Sequence, residues 1–159
     1  MRYLAARNPK NSRPINYVPM RDKYDCLTCI AAMAFNITYE QARDGLGGNL
    51  DPAKPEPEES RRIQNAFYLL MEQCRCGVLH HLRPVPFVVG RRYWVGIKIN
   101  DATNPLSVRL THSIVVDEAG HVLDPNPDYG IFKSFPEWSP AMTLRHEEAF
   151  VSEIFEFTL

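Results

Sequence analysis

The residues of this chain that could do covalent chemistry are a cysteine, a histidine and an aspartate, in that order. Cys26 precedes an apolar run, His112 lies in a β-branched stretch, and Asp124 follows shortly before a proline. A thiol attacks a carbonyl only as thiolate, and a helix N-terminus or a neighbouring imidazolium stabilises that form. The pattern therefore predicts nucleophilic catalysis, with Cys26 as nucleophile, His112 as its base and Asp124 orienting the base.

The element that must position Cys26 is a predicted helix. Cys26, Ile30 and Met33 recur at helical spacing, and Asp25 before them is a favourable N-cap residue. We expect the Asp25 side chain to cap this helix and Cys26 to be its first residue. The free N–H groups of that first turn would then form part of an oxyanion hole.

His112 and Asp124 belong to a predicted β-hairpin. If its loop has three residues, Asp117 pairs with His121, and His112 then lies opposite Asn126 and diagonal to Asp124. A diagonal neighbour is about 7–8 Å away by Cα. Either Asp124 or Asn126 could accept the hydrogen bond from Nδ1 of His112 that fixes the imidazole tautomer. Asp124 is favoured because a carboxylate also stabilises the imidazolium.

The remaining pattern places helices first and strands after them. Thr38 and Gln41 form a capping box for a second short helix ending near Gly45, and Ser60 can cap a third helix through about Gln73. Residues 47–59, rich in proline and glycine, are expected to form an exposed loop. Strands are predicted at 87–89, 93–99, 108–117, 121–125 and 149–159. We therefore expect one α+β domain over residues 1–159.

Composition narrows the function classes. The chain has 159 residues, a net charge of -1 and a hydrophobic content of 45%. The charge gives no reason to expect nucleic acid as the main partner, and no apolar run is long enough to cross a membrane. The N-terminal residues are charged and do not resemble a secretory signal, so we expect a cytoplasmic protein.

Four segments carry a resemblance to a known family. The segments D-C-L-T-C-I-A-A-M (25–33), I-T-Y-E-Q-A (37–42), T-H-S-I-V-V-D (111–117) and L-D-P (123–125) resemble papain-like cysteine peptidases of the bacteriocin-processing, double-glycine leader type. The resemblance implies a helix that carries the nucleophile, packed on an antiparallel sheet that carries His and Asp. Carried over by position, it assigns Cys26, His112 and Asp124 to these functions. It also implies a peptide or protein substrate and no cofactor.

One position departs from the family pattern. The family places a glutamine six residues before the cysteine, where its side chain completes the oxyanion hole, and this chain has Met20 there. A methionine side chain cannot donate, and losing one such donor typically costs about 10²–10³ in rate. Asn16 and Arg21 are the nearest possible substitutes. Otherwise the chain would be an impaired relative.

Several alternatives stay open on the sequence. Cys26 and Cys29 could bind zinc together with Cys74 and Cys76, giving a zinc-stabilised interaction module, or could form a C-x-x-C redox pair. The same triad could transfer an acyl group to an amine instead of water. A catalytically impaired papain-like scaffold could bind a protein partner. The substrate and the oligomeric state do not follow from the sequence.

Overall fold

The structure, a computed structural model, describes residues 17–73, 77–81, 87–101, 104–139 and 149–158. Three helices come before the strands, so the predicted α+β class is confirmed. They are α1 (Cys26–Phe35), α2 (Tyr39–Gly45) and α3 (Glu56–Gln73). Residues 135–139 are helical as well. The strands are β1 (Gly77–His81), β2 (Arg92–Asp101), β3 (Asn104–Val116), β4 (Val122–Asp124), β5 (Gly130–Phe132) and β6 (Ala149–Thr158).

The strands form one antiparallel sheet in the order β1-β6-β2-β3-β4-β5. Between β3 and β4, Val115 pairs with Leu123, and the N–H of Asp117 donates to the carbonyl of His121 at 2.9 Å. The register predicted from a three-residue loop is therefore confirmed. Gly120 closes the turn with a φ of 85°, a conformation that glycine adopts without steric cost.

Two apolar clusters cover the two faces of the sheet. Alternate residues of a strand point to opposite faces. Val115 and Leu123 pack with α1, α2 and α3 in the first cluster, whereas Ile114 and Val122 pack with Trp138 in the second. Almost all of α1, from Thr28 to Phe35, is buried. The helix that begins at Cys26 is therefore fixed to the sheet along most of its length.

The helix boundaries confirm two predictions and correct one. Helix α1 begins at Cys26, and Thr38 and Gln41 form the predicted capping box of α2. Helix α3 begins at Glu56 and not after Ser60, so the predicted exposed loop 47–59 is wrong over its last four residues. Their acidic side chains favour the positive end of a helix, and a proline is tolerated in a first turn because the N–H there lacks an intrahelical acceptor.

The strand predictions are correct where the hydrophobic pattern is long. Residues 93–99, 108–117, 121–125 and 149–159 overlap β2, β3, β4 and β6, but 87–89 is not a strand. There the N–H of Gly90 donates to the carbonyl of Glu118, and the N–H of Arg91 to the carbonyl of Val88, which closes a turn. Strands β1 and β5 were not predicted. Among the described residues, no helix has the length and apolar character needed to span a membrane.

Candidate active site

Cys26 is the first residue of α1 and is partly exposed. Its helix is anchored at the opposite end, where the guanidinium of Arg92 donates to the carbonyls of Met33 (3.1 Å) and Ala34 (2.8 Å). Arg92 also forms a buried ion pair with Glu118, with Nε to Oε1 at 3.0 Å and Nη2 to Oε2 at 3.1 Å. Because strand β2 holds the C-terminus of α1, the position of the Cys26 sulfur is tied to the sheet.

Asp25 occupies the N-cap position, but the prediction that its side chain caps α1 is wrong. The carboxylate makes no capping hydrogen bond to the helix. Its Oδ2 instead accepts from the backbone N–H of Arg21 and from the hydroxyl of Tyr39, each at 3.0 Å. Its Oδ1 is buried and has no hydrogen-bond partner among the described residues, so neither carboxylate oxygen caps the first turn. The N–H groups beside Cys26 are therefore left free of a side-chain cap.

His112 and Asp124 are joined by a hydrogen bond. Nε2 of His112 lies 2.8 Å from Oδ1 of Asp124, whose side chain is fully buried. The diagonal placement of the two residues is thus close enough for direct contact. The expectation that Nδ1 makes this bond is wrong, because the imidazole presents Nε2 to the carboxylate. Nδ1, the other ring nitrogen, takes no part in this hydrogen bond.

Cys26 lies near the His112 ring, because its thiol contributes to the pKa of the imidazole. Since Nε2 is bonded to Asp124, Nδ1 is the ring nitrogen that remains for the sulfur. Burial lowers the pKa of His112, but the hydrogen bond to Asp124 and the contact with Cys26 outweigh it and raise the pKa to about 10. The surroundings therefore favour an imidazolium, which can stabilise a thiolate beside it.

Three further donors hold Asp124. Nε1 of Trp138 donates to Oδ2 at 2.7 Å, the N–H of Asn126 donates to Oδ1 at 2.9 Å, and the hydroxyl of Tyr17 donates to the Asp124 carbonyl at 2.8 Å. The bonds from Trp138 and Asn126 fix the carboxylate plane toward His112, and the bond from Tyr17 fixes the backbone of Asp124. A buried tryptophan is expected to have a hydrogen-bond partner for its indole N–H, but the sequence does not indicate that the partner of Trp138 is Asp124.

Asn126 does not take the place of Asp124. Its side-chain Oδ1 accepts from the N–H of Asp128 at 3.0 Å, and only its backbone N–H contacts Asp124. It therefore supports the carboxylate and does not orient the imidazole, which corrects the alternative assignment. Asn16, proposed as an oxyanion donor, lies outside the described residues, as do the side chains of Cys74 and Cys76.

The segment 17–20 links the two halves of the site. The backbone N–H of Met20 donates to the carbonyl of Pro125 at 2.7 Å, and Tyr17 contacts Asp124 as above. On its other side, the thiol of Cys29 donates to the carbonyl of Pro19 at 3.5 Å. The segment thus connects α1 with the end of β4. Met20 has an apolar side chain that packs against the first cluster.

The two described cysteines differ sharply. Cys29 is fully buried, and burial, with a contribution from the nearby Asp25, raises the pKa of its thiol. Cys29 therefore stays protonated and behaves as a small apolar residue. Cys26 is partly exposed and adjoins His112. Of the C-x-x-C pair, only Cys26 has the surroundings of a nucleophile.

Within the described part of the chain, no group of three or more His, Cys, Asp or Glu side chains could hold a metal ion. What the described residues bring together is a thiol, an imidazole and a carboxylate in series. Such a series can pass a proton from sulfur to nitrogen while the carboxylate stabilises the resulting imidazolium. Comparison of the chain with protein-family models, with curated proteins and with solved structures found no match.

Proposed function

We propose that this chain is a cysteine hydrolase of papain-like architecture that cleaves a peptide, isopeptide or related amide bond. The observation that carries the proposal is the position of His112, whose Nε2 bonds to Asp124 at 2.8 Å and whose ring lies near Cys26 at the start of α1. A helix that begins at the nucleophile and an antiparallel sheet that supplies the base and the carboxylate fit the same architecture.

The proposed reaction starts from a Cys26 thiolate beside a His112 imidazolium, in which Nδ1 holds the proton that the thiol has given up. The thiolate attacks the carbonyl carbon and forms a C–S bond, while the carbonyl π electrons move to the oxygen. When the tetrahedral intermediate collapses, the C–N bond breaks and His112 gives its proton to the leaving amine. Water, deprotonated by His112, then attacks the thioester. The C–S bond breaks, and a carboxylic acid product and the free thiol are released.

The negative oxygen of the intermediate needs donors that Met20 cannot supply from its side chain. The backbone N–H groups at the start of α1 are suited to this task, because they lack intrahelical acceptors and Asp25 does not cap them. The positive end of the helix dipole adds to the stabilisation. We therefore propose that backbone donors carry more of the oxyanion stabilisation here than in enzymes that use a glutamine.

A second candidate function rests on Met20. If the first-turn N–H groups do not compensate for the missing side-chain donor, the chain is a papain-like scaffold that binds a peptide or protein and turns it over slowly. The two candidates differ in the rate of the chemical step and share the binding surface. Single-turnover kinetics with a bound peptide separates them, since the scaffold would bind without cleaving.

The proposal is tested by labelling with an acyl-fluoride probe, followed by mass spectrometry of the modified peptide. The wild-type chain should be labelled at Cys26, and the Cys29→Ala variant should be labelled equally. In Cys26→Ala, the peptide that carries positions 26 and 29 should not be labelled, because the thiol of Cys29 is buried and stays protonated. Labelling of that peptide that persists in Cys26→Ala, or that disappears in Cys29→Ala alone, would rule the proposal out.

A further inference from the structure

Tyr39 is a buried residue of α2 whose hydroxyl belongs to a series of hydrogen bonds beside the first turn of α1, where Cys26 lies. The hydroxyl donates to Oδ2 of Asp25 at 3.0 Å and accepts from Nδ2 of Asn49 at 3.0 Å. Oδ1 of Asn49 in turn accepts from the hydroxyl of Thr28 at 2.6 Å. Asp25 precedes Cys26, and Thr28 lies in the first turn of α1. These hydrogen bonds therefore hold residues on both sides of Cys26 in the first turn of α1, called here the nucleophile turn, but they do not involve Cys26 itself.

The conformation of Asp25 differs from that of a capping residue. Thr38, which caps α2, has the extended backbone typical of an N-cap, with φ -71° and ψ 158°. Asp25 has φ -111° and ψ 13°, which lies in the sparsely populated bridge region, and its carboxylate makes no capping hydrogen bond to α1. An aspartate at this position ordinarily stabilises a helix by capping its first N–H groups. Something must hold it in the other conformation, and Tyr39 and the N–H of Arg21 are the groups that bond to its carboxylate.

The support for Tyr39 is itself rigid. The guanidinium of Arg62, on α3, donates to the carbonyls of Leu46 and Asn49, each at 2.9 Å, and so fixes the loop that carries Asn49. The guanidinium carbon of Arg21 lies 3.7 Å from the centre of the Tyr39 ring. Burial raises the pKa of Tyr39, so its hydroxyl remains a donor to Asp25 at neutral pH.

We infer that Tyr39 is a positioning residue for the proposed reaction. Its hydroxyl holds the Asp25 carboxylate away from the first turn of α1 and so keeps the N–H groups beside Cys26 open to a substrate carbonyl oxygen. The inference rests on the proposed function. Without the hydroxyl, Asp25 is free to adopt the ordinary capping conformation. Its carboxylate then occupies the N–H groups and places a negative charge where the oxyanion forms.

Two reactions of the Cys26 sulfur, acylation and alkylation, should respond differently to the loss of the Tyr39 hydroxyl. Acylation by an activated ester such as p-nitrophenyl acetate passes through a tetrahedral oxyanion, whereas alkylation by iodoacetamide does not. Tyr39→Phe should slow acylation about 10–100-fold, within or below the loss seen when one oxyanion donor is removed. Alkylation should change by less than about threefold, because Cys26 and His112 keep their contact.

Tyr93→Phe is the matched control. Tyr93 is equally a buried tyrosine, and its hydroxyl accepts from the N–H of Val88 at 2.9 Å within the second cluster, apart from the nucleophile turn. The Tyr93→Phe variant should therefore keep the wild-type rates of acylation and alkylation. If Tyr39→Phe does not fold, Asn49→Ala removes the donor to the Tyr39 hydroxyl and should give the same selective loss of acylation, by about 3–10-fold.

The possible results distinguish this inference from the proposed function. If wild-type acylation equals that of Cys26→Ala, both ideas are overturned. If the wild-type chain acylates and Tyr39→Phe behaves like Tyr93→Phe, the positioning inference alone is overturned. Parallel loss of acylation and alkylation in Tyr39→Phe, or in Asn49→Ala where that variant is used, also overturns it. A selective loss of acylation supports it.

Discussion

Removing the indole N–H of Trp138 should uncouple Asp124 from its support while leaving the other two residues of the site intact. Trp138 is buried in the second cluster, and Nε1 donates to Oδ2 of the fully buried Asp124 at 2.7 Å. The substitution Trp138→Phe keeps an aromatic ring and removes this donor. Oδ1 retains His112 and the N–H of Asn126, so the carboxylate loses one of its three donors.

The expected cost follows from burial and charge. A hydrogen bond to a charged group contributes about 1.5–3 kcal/mol. The smaller ring leaves unfilled space, which costs roughly 1 kcal/mol more in a packed interior. We therefore expect Trp138→Phe to lower the free energy of unfolding by about 2.5–4 kcal/mol. Because a loosened Asp124 no longer fixes the imidazole, the rate of Cys26 acylation should fall at least about tenfold. Small misplacements of catalytic groups commonly cause losses of this size.

Urea unfolding and acylation by an activated ester measure the two effects. Trp94→Phe is the control, since it makes the same change in a buried tryptophan that packs on Phe67, with ring centres 4.5 Å apart, in the first cluster. Trp94→Phe should leave the acylation rate unchanged. If Trp138→Phe acylates at the wild-type rate, the argument that Trp138 positions Asp124 is refuted.

Two further predictions concern the supports of the site. Arg92→Met leaves Glu118 buried without its ion-pair partner and removes a donor to the last turn of α1, so urea unfolding should show a loss of about 3–5 kcal/mol. Arg43→Met, at an exposed site on α2, should change stability by less than about 0.5 kcal/mol. The pKa of His112 rises on folding from 6.5 to about 10, so its stabilising contribution is complete below pH 6.5 and is lost as the pH rises toward 10. Unfolding measured across that range should show this loss in the wild-type chain and a smaller one in Asp124→Asn.

Short-range sequence patterns predicted much of the structure that holds Cys26, His112 and Asp124. The turn ending at Gly120 fixed the register of the hairpin, and the register placed Asp124 within reach of His112. The helical spacing after Asp25 located Cys26 at the start of α1. These features depend on residues near one another in the chain, where spacing and turn chemistry are informative.

The errors arose where distant residues compete for the same group. Asp25 is a good cap by its type, but Tyr39, fourteen positions away, takes its carboxylate. Which imidazole nitrogen faces Asp124 is decided by how His112 sits between two other elements, and strand register does not specify it. The contact of Trp138 with Asp124 likewise depends on the packing of the second cluster. No spacing rule encodes such contacts.

The central claim is that the fold makes Cys26 a nucleophile through His112. Mass spectrometry of the intact chain during reaction with an activated ester tests it most directly. The wild-type chain should gain one acyl group on Cys26 and then lose it to water, whereas His112→Ala should acylate far more slowly. A wild-type chain that gains no acyl group on Cys26, or a His112→Ala variant that acylates equally fast, would contradict the account.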